Sequence, residues 1–263
     1  MPATAERSLT IWADRVHPRV LSAGEGPPVV FLHGAAGLLW DPFLDAVAQQ
    51  FTVHAPEFPG TSPGDHTGIE SVDDWHDLVV YYGELLDELG LERATLIGHS
   101  FGGMLACELA AARPDCVGAL VLLAPAGLWR DEDPIPAFLT LAPEDLAAVL
   151  YHSPEVAAAY MTPPEDPELA GEAMIAFAWA LGCTGKFLWP IPDRGLHKRL
   201  HRVSAPTLVV WGAEDQLIVP AYAEEFRSRI SGAQVETIAD AGHMLQQEQP
   251  EATASVVAEF LAG

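Results

Sequence analysis

The chain has 263 residues, 49% hydrophobic and 19% charged, with a formal net charge of -24. That composition supports a substantial core and excludes a disordered chain, and the length suits one large domain with an insertion better than two independent domains. The acidic balance repels phosphate backbones and anionic lipid surfaces, so neither nucleic acid nor a membrane is an expected partner.

The N-terminus, MPATAERSLTIWADRV, has no basic stretch followed by an apolar one, so no secretory signal is expected. Val29 to Leu32 is a short apolar run opened by Pro27-Pro28 and closed by His33-Gly34, which predicts a buried strand. Trp40, Phe43, Leu44 and Val47 then recur at helical spacing. Thr52 to Ala55 predicts a second strand, followed by the turn-rich EFPGTSPGDHTG.

The clearest helix comes next. Trp75, Leu78, Val79, Tyr82, Leu85, Leu86 and Leu89 share one face, and Gly90 marks the stop. Ser71 with Asp74 three residues on resembles a capping box at its start. A strand at Ala94 to Ile97 runs into GHSFGG and an Ala-rich helix ending near Pro114, and Leu120 to Leu123 is another buried strand. The run VGALVLLAPAGLW is too short to span a bilayer.

Regularity breaks after Ala126. Residues 126–204 are rich in Pro and acidic side chains, with no Lys or Arg between Asp131 and Gly185, and are expected to form an inserted helical cap on a core of residues 1–125 and 205–263. Pattern returns with APTLVVWG, a helix from Pro220, a strand at Val235 to Ile238 and a last helix from about Pro250. Alternation of buried strands with helices predicts an α/β fold, a mostly parallel sheet with helices on both faces. Cys107, Cys116 and Cys183 are scattered and odd in number, which predicts reduced thiols and a cytoplasmic location.

Gly98-His99-Ser100-Phe101-Gly102 is the motif that carries chemistry. It matches G-x-S-x-G directly between a strand and a helix, where a sharp turn stands the serine proud of the sheet at a helix N-terminus. A serine hydroxyl needs a base. His243, in Ala-Gly-His after a strand, is expected at the same sheet edge; His99 is expected to pack under the turn. Asp215, after the strand Leu208 to Trp211, is the expected orienting acid, with Glu214 its competitor. The oxyanion donors expected are the N–H groups of Phe101 and Ala35. His197 and His201 are four apart but lack a third partner, so no metal or other cofactor is expected. Trp40, Leu128, Trp129, Leu217 and Met244 are expected to line an apolar substrate site, with Tyr160, Phe177, Trp179 and Trp189 available from the cap.

FLHGAAG, EFPGTSPG, GHSFGG, VVWGAEDQLIVP and DAGHMLQQEQP, in this order, resemble the α/β-hydrolase superfamily over nearly the whole chain. The resemblance implies an eight-stranded sheet with a cap after the sixth strand, and a small cofactor-free hydrolase of the carboxylesterase, lactonase and carbon–carbon hydrolase group. Ser100, where dehalogenases and epoxide hydrolases carry Asp, speaks against both of those. Met244, where the carbon–carbon hydrolases usually carry Trp, and Ala35-Ala36-Gly37 in the oxyanion loop depart from that subgroup. The expected activity is cleavage of small to medium apolar carboxylic esters, the small-molecule partner being such an ester or a related carbonyl compound. The alternatives are a carbon–carbon hydrolase using Arg130 or Arg194 for a substrate carboxylate, a ligand receptor with little turnover, and acyl transfer to an alcohol or peroxide.

Overall fold

A computed structural model describes residues 4–189, 191 and 193–263. Eight strands form one sheet: β1 (Ala5–Ser8), β2 (Arg19–Ala23), β3 (Pro28–Leu32), β4 (Thr52–Pro56), β5 (Ala94–His99), β6 (Val117–Leu123), β7 (Thr207–Gly212) and β8 (Gln234–Ile238). Their order is β1-β2-β4-β3-β5-β6-β7-β8. β1–β2 and β2–β4 pair antiparallel; all other neighbours pair parallel. β5 lies centrally, with Leu96 opposite Val30 on one side and Leu120 on the other, and its Leu96 and Ile97 side chains are fully buried. Such doubly covered strands need continuous apolar runs.

Helices α1 (Pro42–Val47), α2 (Trp75–Glu88), α3 (Phe101–Ala112), α7 (Ala221–Arg229), α8 (Leu245–Glu248) and α9 (Pro250–Ala262) belong to the connections around the sheet. The expected capping box at Ser71 does not form. Asp74 is itself the N-cap of α2, its carboxylate accepting the His76 and Asp77 N–H groups, while Ser71 closes a preceding 3-10 turn over His66–Ser71. An aspartate directly before the first helical residue satisfies those N–H groups without help from further upstream.

Between β6 and β7 the chain is helical: α4 (Pro143–Leu150), α5 (Pro154–Met161) and α6 (Pro167–Leu188), then two 3-10 turns, Leu196–Lys198 and Leu200–Arg202. His197 and His201, four apart in sequence, thus lie in separate 3-10 turns. Gly195, at φ 86, opens them, and the His197 ring pairs with Asp193. Leu196 and Leu200 are fully buried in the main core, and Arg199 holds Glu108 of α3 through two hydrogen bonds of 2.6 and 2.7 Å. The end of the segment between β6 and β7 is thus fastened to the helix that follows Ser100.

Candidate active site

Ser100 sits between β5 and α3 with φ 52 and ψ -114. A non-glycine residue held at positive φ costs on the order of 1–3 kcal/mol, which the surrounding structure must offset. Here the Ser100 N–H donates to the Leu123 carbonyl at 2.9 Å, and its own carbonyl accepts the Met104 and Ala126 N–H groups. The flanking glycines are dictated by space. A Cβ on Gly98 would lie 2.5 Å from the Gly102 carbonyl oxygen, and one on Gly102 would lie 1.9 Å from the Leu32 carbonyl oxygen. Neither approach is possible for any larger residue.

The loops after β7 and β8 bring two further side chains to this edge. His243 Nε2 lies 2.9 Å from Ser100 Oγ, and its Nδ1 lies 2.9 Å from Asp215 Oδ2. Asp215 is fully buried, and its other oxygen accepts the Leu217 and Ile218 N–H groups, each at 2.9 Å. Those three donors satisfy the buried carboxyl, and the pairing sets the His243 Nδ1–H toward Asp215. With that tautomer fixed, Nε2 is free to accept the serine proton. Glu214, the competing acid, is exposed to solvent.

His99 is buried beneath the turn, as expected from its position, and its Nε2–H donates to the His243 carbonyl at 3.0 Å. Burial, reinforced by the neighbouring His243, pushes its pKa down to about 3. His33 orders the loop after β3 in the same way. Its Nδ1–H donates to the Gly34 carbonyl and its Nε2 accepts the Phe58 N–H, with burial holding the ring neutral. A Cβ on Gly34 would stand 3.7 Å from Ser100 Cβ, so this loop passes beside the serine. Thr184 of α6 donates to the Ala35 carbonyl at 2.9 Å. Among the described residues neither the Ala35 nor the Phe101 N–H has an acceptor.

A cleft of about 910 Å³ opens over Ser100 and His243. Its apolar wall includes Phe138, Leu146, Leu150, Phe177, Leu217 and Met244. A smaller pocket of about 30 Å³ also reaches Ser100, between Leu128, Ile135, Leu188 and Leu217, with Arg194 on its wall. Leu128 lines the small pocket, Met244 the cleft and Leu217 both. Trp40 and Trp129 line neither space. The Trp40 indole donates to Asp45 and the Trp129 indole to Asp131, each at 2.9 Å, and both rings are drawn aside by these nearby carboxylates. Of the aromatics between β6 and β7, Tyr160 and Phe177 face the cleft, whereas Trp179 donates to the Gly60 carbonyl and Trp189 is exposed. The cleft also holds Asp41 and Gln246, which the sequence pattern did not single out. Asp41 before Pro42 carries the signal of a helix cap, and Gln246 carries none.

Among the described residues, no three or more His, Cys, Asp or Glu side chains gather as metal ligands, and no helix is long and apolar enough to cross a membrane. All three cysteines are free and buried.

The acetyltransferase component of the acetoin cleaving system of Cupriavidus necator is 28% identical over 261 residues, spanning 95% of this chain and 68% of that protein. The mouse sn-1-specific diacylglycerol lipase ABHD11 is 27% identical over 256 residues, spanning 90% of this chain and 81% of that protein. Among solved structures, the meta-cleavage product hydrolase CumD of Pseudomonas fluorescens IP01 shares the fold, with a TM-score of 0.73 at 20% identity and 97% of each chain covered. Residues 29–256 match the model of the alpha/beta hydrolase family. With that match running from β3 into α9, the chain belongs to the alpha/beta hydrolase family and is a hydrolytic enzyme.

Proposed function

We propose that the protein is a serine hydrolase that cleaves carboxylic esters of small to medium apolar substrates through an acyl-enzyme on Ser100. The observation that carries this reading is the continuous relay from Ser100 Oγ through His243 to Asp215, with 2.9 Å at each step. Ser100 attacks the ester carbonyl as His243 Nε2 takes its proton, and Asp215 stabilises the resulting imidazolium. The Ala35 and Phe101 N–H groups hold the oxyanion. His243 protonates the departing alcohol, then takes a proton from the water that attacks the acyl-enzyme, and returns it to Ser100 Oγ as the acid leaves. Side chains and backbone N–H groups supply each step, and no cofactor enters the scheme. Residues 126–204 act as the cap over a core of residues 1–125 and 205–263, and the free buried thiols suit a reducing, cytoplasmic setting.

Leu128, Leu217 and Met244 contribute to the apolar substrate surface. Each added methylene that fits should contribute up to about 0.8 kcal/mol. The test is kcat/KM across aryl esters of increasing acyl length, set beside a dienoic keto-acid. A rise with length to a plateau supports the ester reading. Faster turnover of the keto-acid than of every ester overturns it.

The second reading, carbon–carbon bond hydrolysis, is favoured by one observation. Arg194 lies on the wall of the small pocket that reaches Ser100, where it would meet a substrate carboxylate. Arg130, the other cation considered, is engaged by Asp133 and Glu225 at 2.9 and 2.7 Å.

A further inference from the structure

The large cleft has a polar end that the ester chemistry does not use. α1 packs against α8, and this contact sets Asp41, the N-cap of α1, and Gln246 of α8 into the same cleft. Asp41 is 4% exposed and Gln246 2%. One Asp41 oxygen accepts the Leu44 N–H at 3.1 Å, and capping asks no more of it. Among the described residues, no side chain donates to the Asp41 carboxyl, which meets backbone N–H groups alone, and the Gln246 amide makes no hydrogen bond, its Oε1 buried without a partner. Buried polar groups are rarely left unpaired, because each loses its hydration and gains nothing in return.

The neighbourhood supplies no cation. The Tyr151 hydroxyl is already given to Gln247 Oε1 at 2.7 Å. Tyr160 stacks on Tyr151, with ring centroids 6.4 Å apart and planes 13° from parallel, and also faces the cleft. Among the described residues, the cleft's one guanidinium is Arg19, which is held by Glu57 and Glu6. Glu57 itself leaves one buried oxygen unpartnered, and Glu172 adds a further carboxylate to the cleft wall. What is missing from this end is therefore positive charge.

We propose that the Asp41–Gln246 end of the cleft binds a protonated amine, so that the preferred esters carry an ammonium group. This rests on the ester-hydrolase reading above and narrows its substrate class. An ammonium brings three N–H donors and the counter-charge for a lone buried carboxylate, whereas a hydroxyl brings one donor and no charge. The stacked tyrosine rings beside it offer faces of the polarity a cation prefers. Burial without a cationic partner pushes the Asp41 carboxyl up to about 7, and a bound ammonium would restore its ionised form.

The test uses two trios of esters. In the first, the acyl chain of an aryl ester ends in a primary amine, a methyl or a hydroxyl; in the second, the same three groups end the alcohol portion. The amine member of one trio should exceed its methyl and hydroxyl partners in kcat/KM by about tenfold or more, through KM. In Asp41→Asn that ratio should fall towards one, and in Gln246→Leu it should shrink. The ratio is taken within each variant, so a general loss of activity cancels, and asparagine keeps the helix cap. In parallel, an n-alkylammonium should raise Tm more than the matching alcohol, and Asp41→Asn should remove the difference. Where esters are turned over, their ratio decides. Hydrolysis with no amine preference in either trio, or a preference that survives Asp41→Asn, overturns the proposal and leaves the ester reading standing. Where no ester is turned over, the ester reading fails and the Tm difference decides the amine site.

Discussion

Gly102 lies so close to Leu32 that a Cβ built on it would stand 1.9 Å from the Leu32 carbonyl oxygen. This contact joins the first turn of α3 to the end of β3, and it sets the height at which Ser100 emerges. A backbone oxygen inside a sheet cannot retreat as a flexible side chain can. Gly102→Ala should therefore lower stability by roughly 1–3 kcal/mol or more, as overpacking does. It should also cost activity, because the turn that carries Ser100 must shift. Denaturant midpoints and kcat/KM measure both; wild-type values for each would contradict the role given to this contact.

Asp215→Asn should preserve the fold and abolish most of the rate. The amide oxygen can still accept the Leu217 and Ile218 N–H groups, but its NH₂ then faces His243 Nδ1. That forces the proton onto Nε2, where it blocks transfer from Ser100. The expected loss in kcat/KM is about 10⁴. An unchanged rate in a well-folded Asp215→Asn protein would remove Asp215 from the relay.

Asp41 predicts a stability change with pH. Burial raises its folded value from 3.8 to about 7. Between those values the folded chain holds one more proton than the unfolded chain, so stability falls as pH rises through this window. The full effect is on the order of 4 kcal/mol as an upper bound. Asp45, Tyr151 and Tyr160 face this carboxyl and bring no positive charge to oppose the trend. Asp41→Asn has no proton to lose there. Its stability relative to wild type should improve from about pH 4 to about pH 7 and level off above. A difference that stays constant with pH in urea denaturation would show that Asp41 is not held protonated.

His99 makes the opposite prediction. Its folded value of about 3 lies below the ordinary 6.5, so the unfolded chain takes up the extra proton and stability is lost as pH falls from about 6.5. Between about pH 5 and about pH 8 the ring should stay neutral and contribute no ionisation to the rate profile. Flat imidazole nitrogen shifts by NMR over that range would agree; a His99 titration near 6 would not.

Much of this arrangement is legible in the residues before any coordinates. The parallel strands announce themselves because burial on both faces demands runs such as Leu208 to Trp211. The site follows from them, since the loops that carry Ser100, Asp215 and His243 all leave one edge of the sheet. β1 and β2 escaped, because β1 is exposed throughout and β2 mixes buried with half-buried residues, which leaves no clean apolar signal. The pocket lining was harder still. Trp40 and Trp129 sit beside the right loops, yet short-range hydrogen bonds to Asp45 and Asp131 turn them aside. Asp41 and Gln246 come to line one cleft through the packing of α1 on α8, a tertiary contact with no local pattern to betray it.

The central claim is that Ser100 is the nucleophile, and covalent labelling tests it most directly. A fluorophosphonate should add one equivalent to the protein, with the adduct on the peptide containing Ser100. Ser100→Ala should take up none, and Asp215→Asn should react far more slowly than wild type. Labelling of Ser100→Ala at the wild-type rate, with the adduct on another residue, would contradict the account.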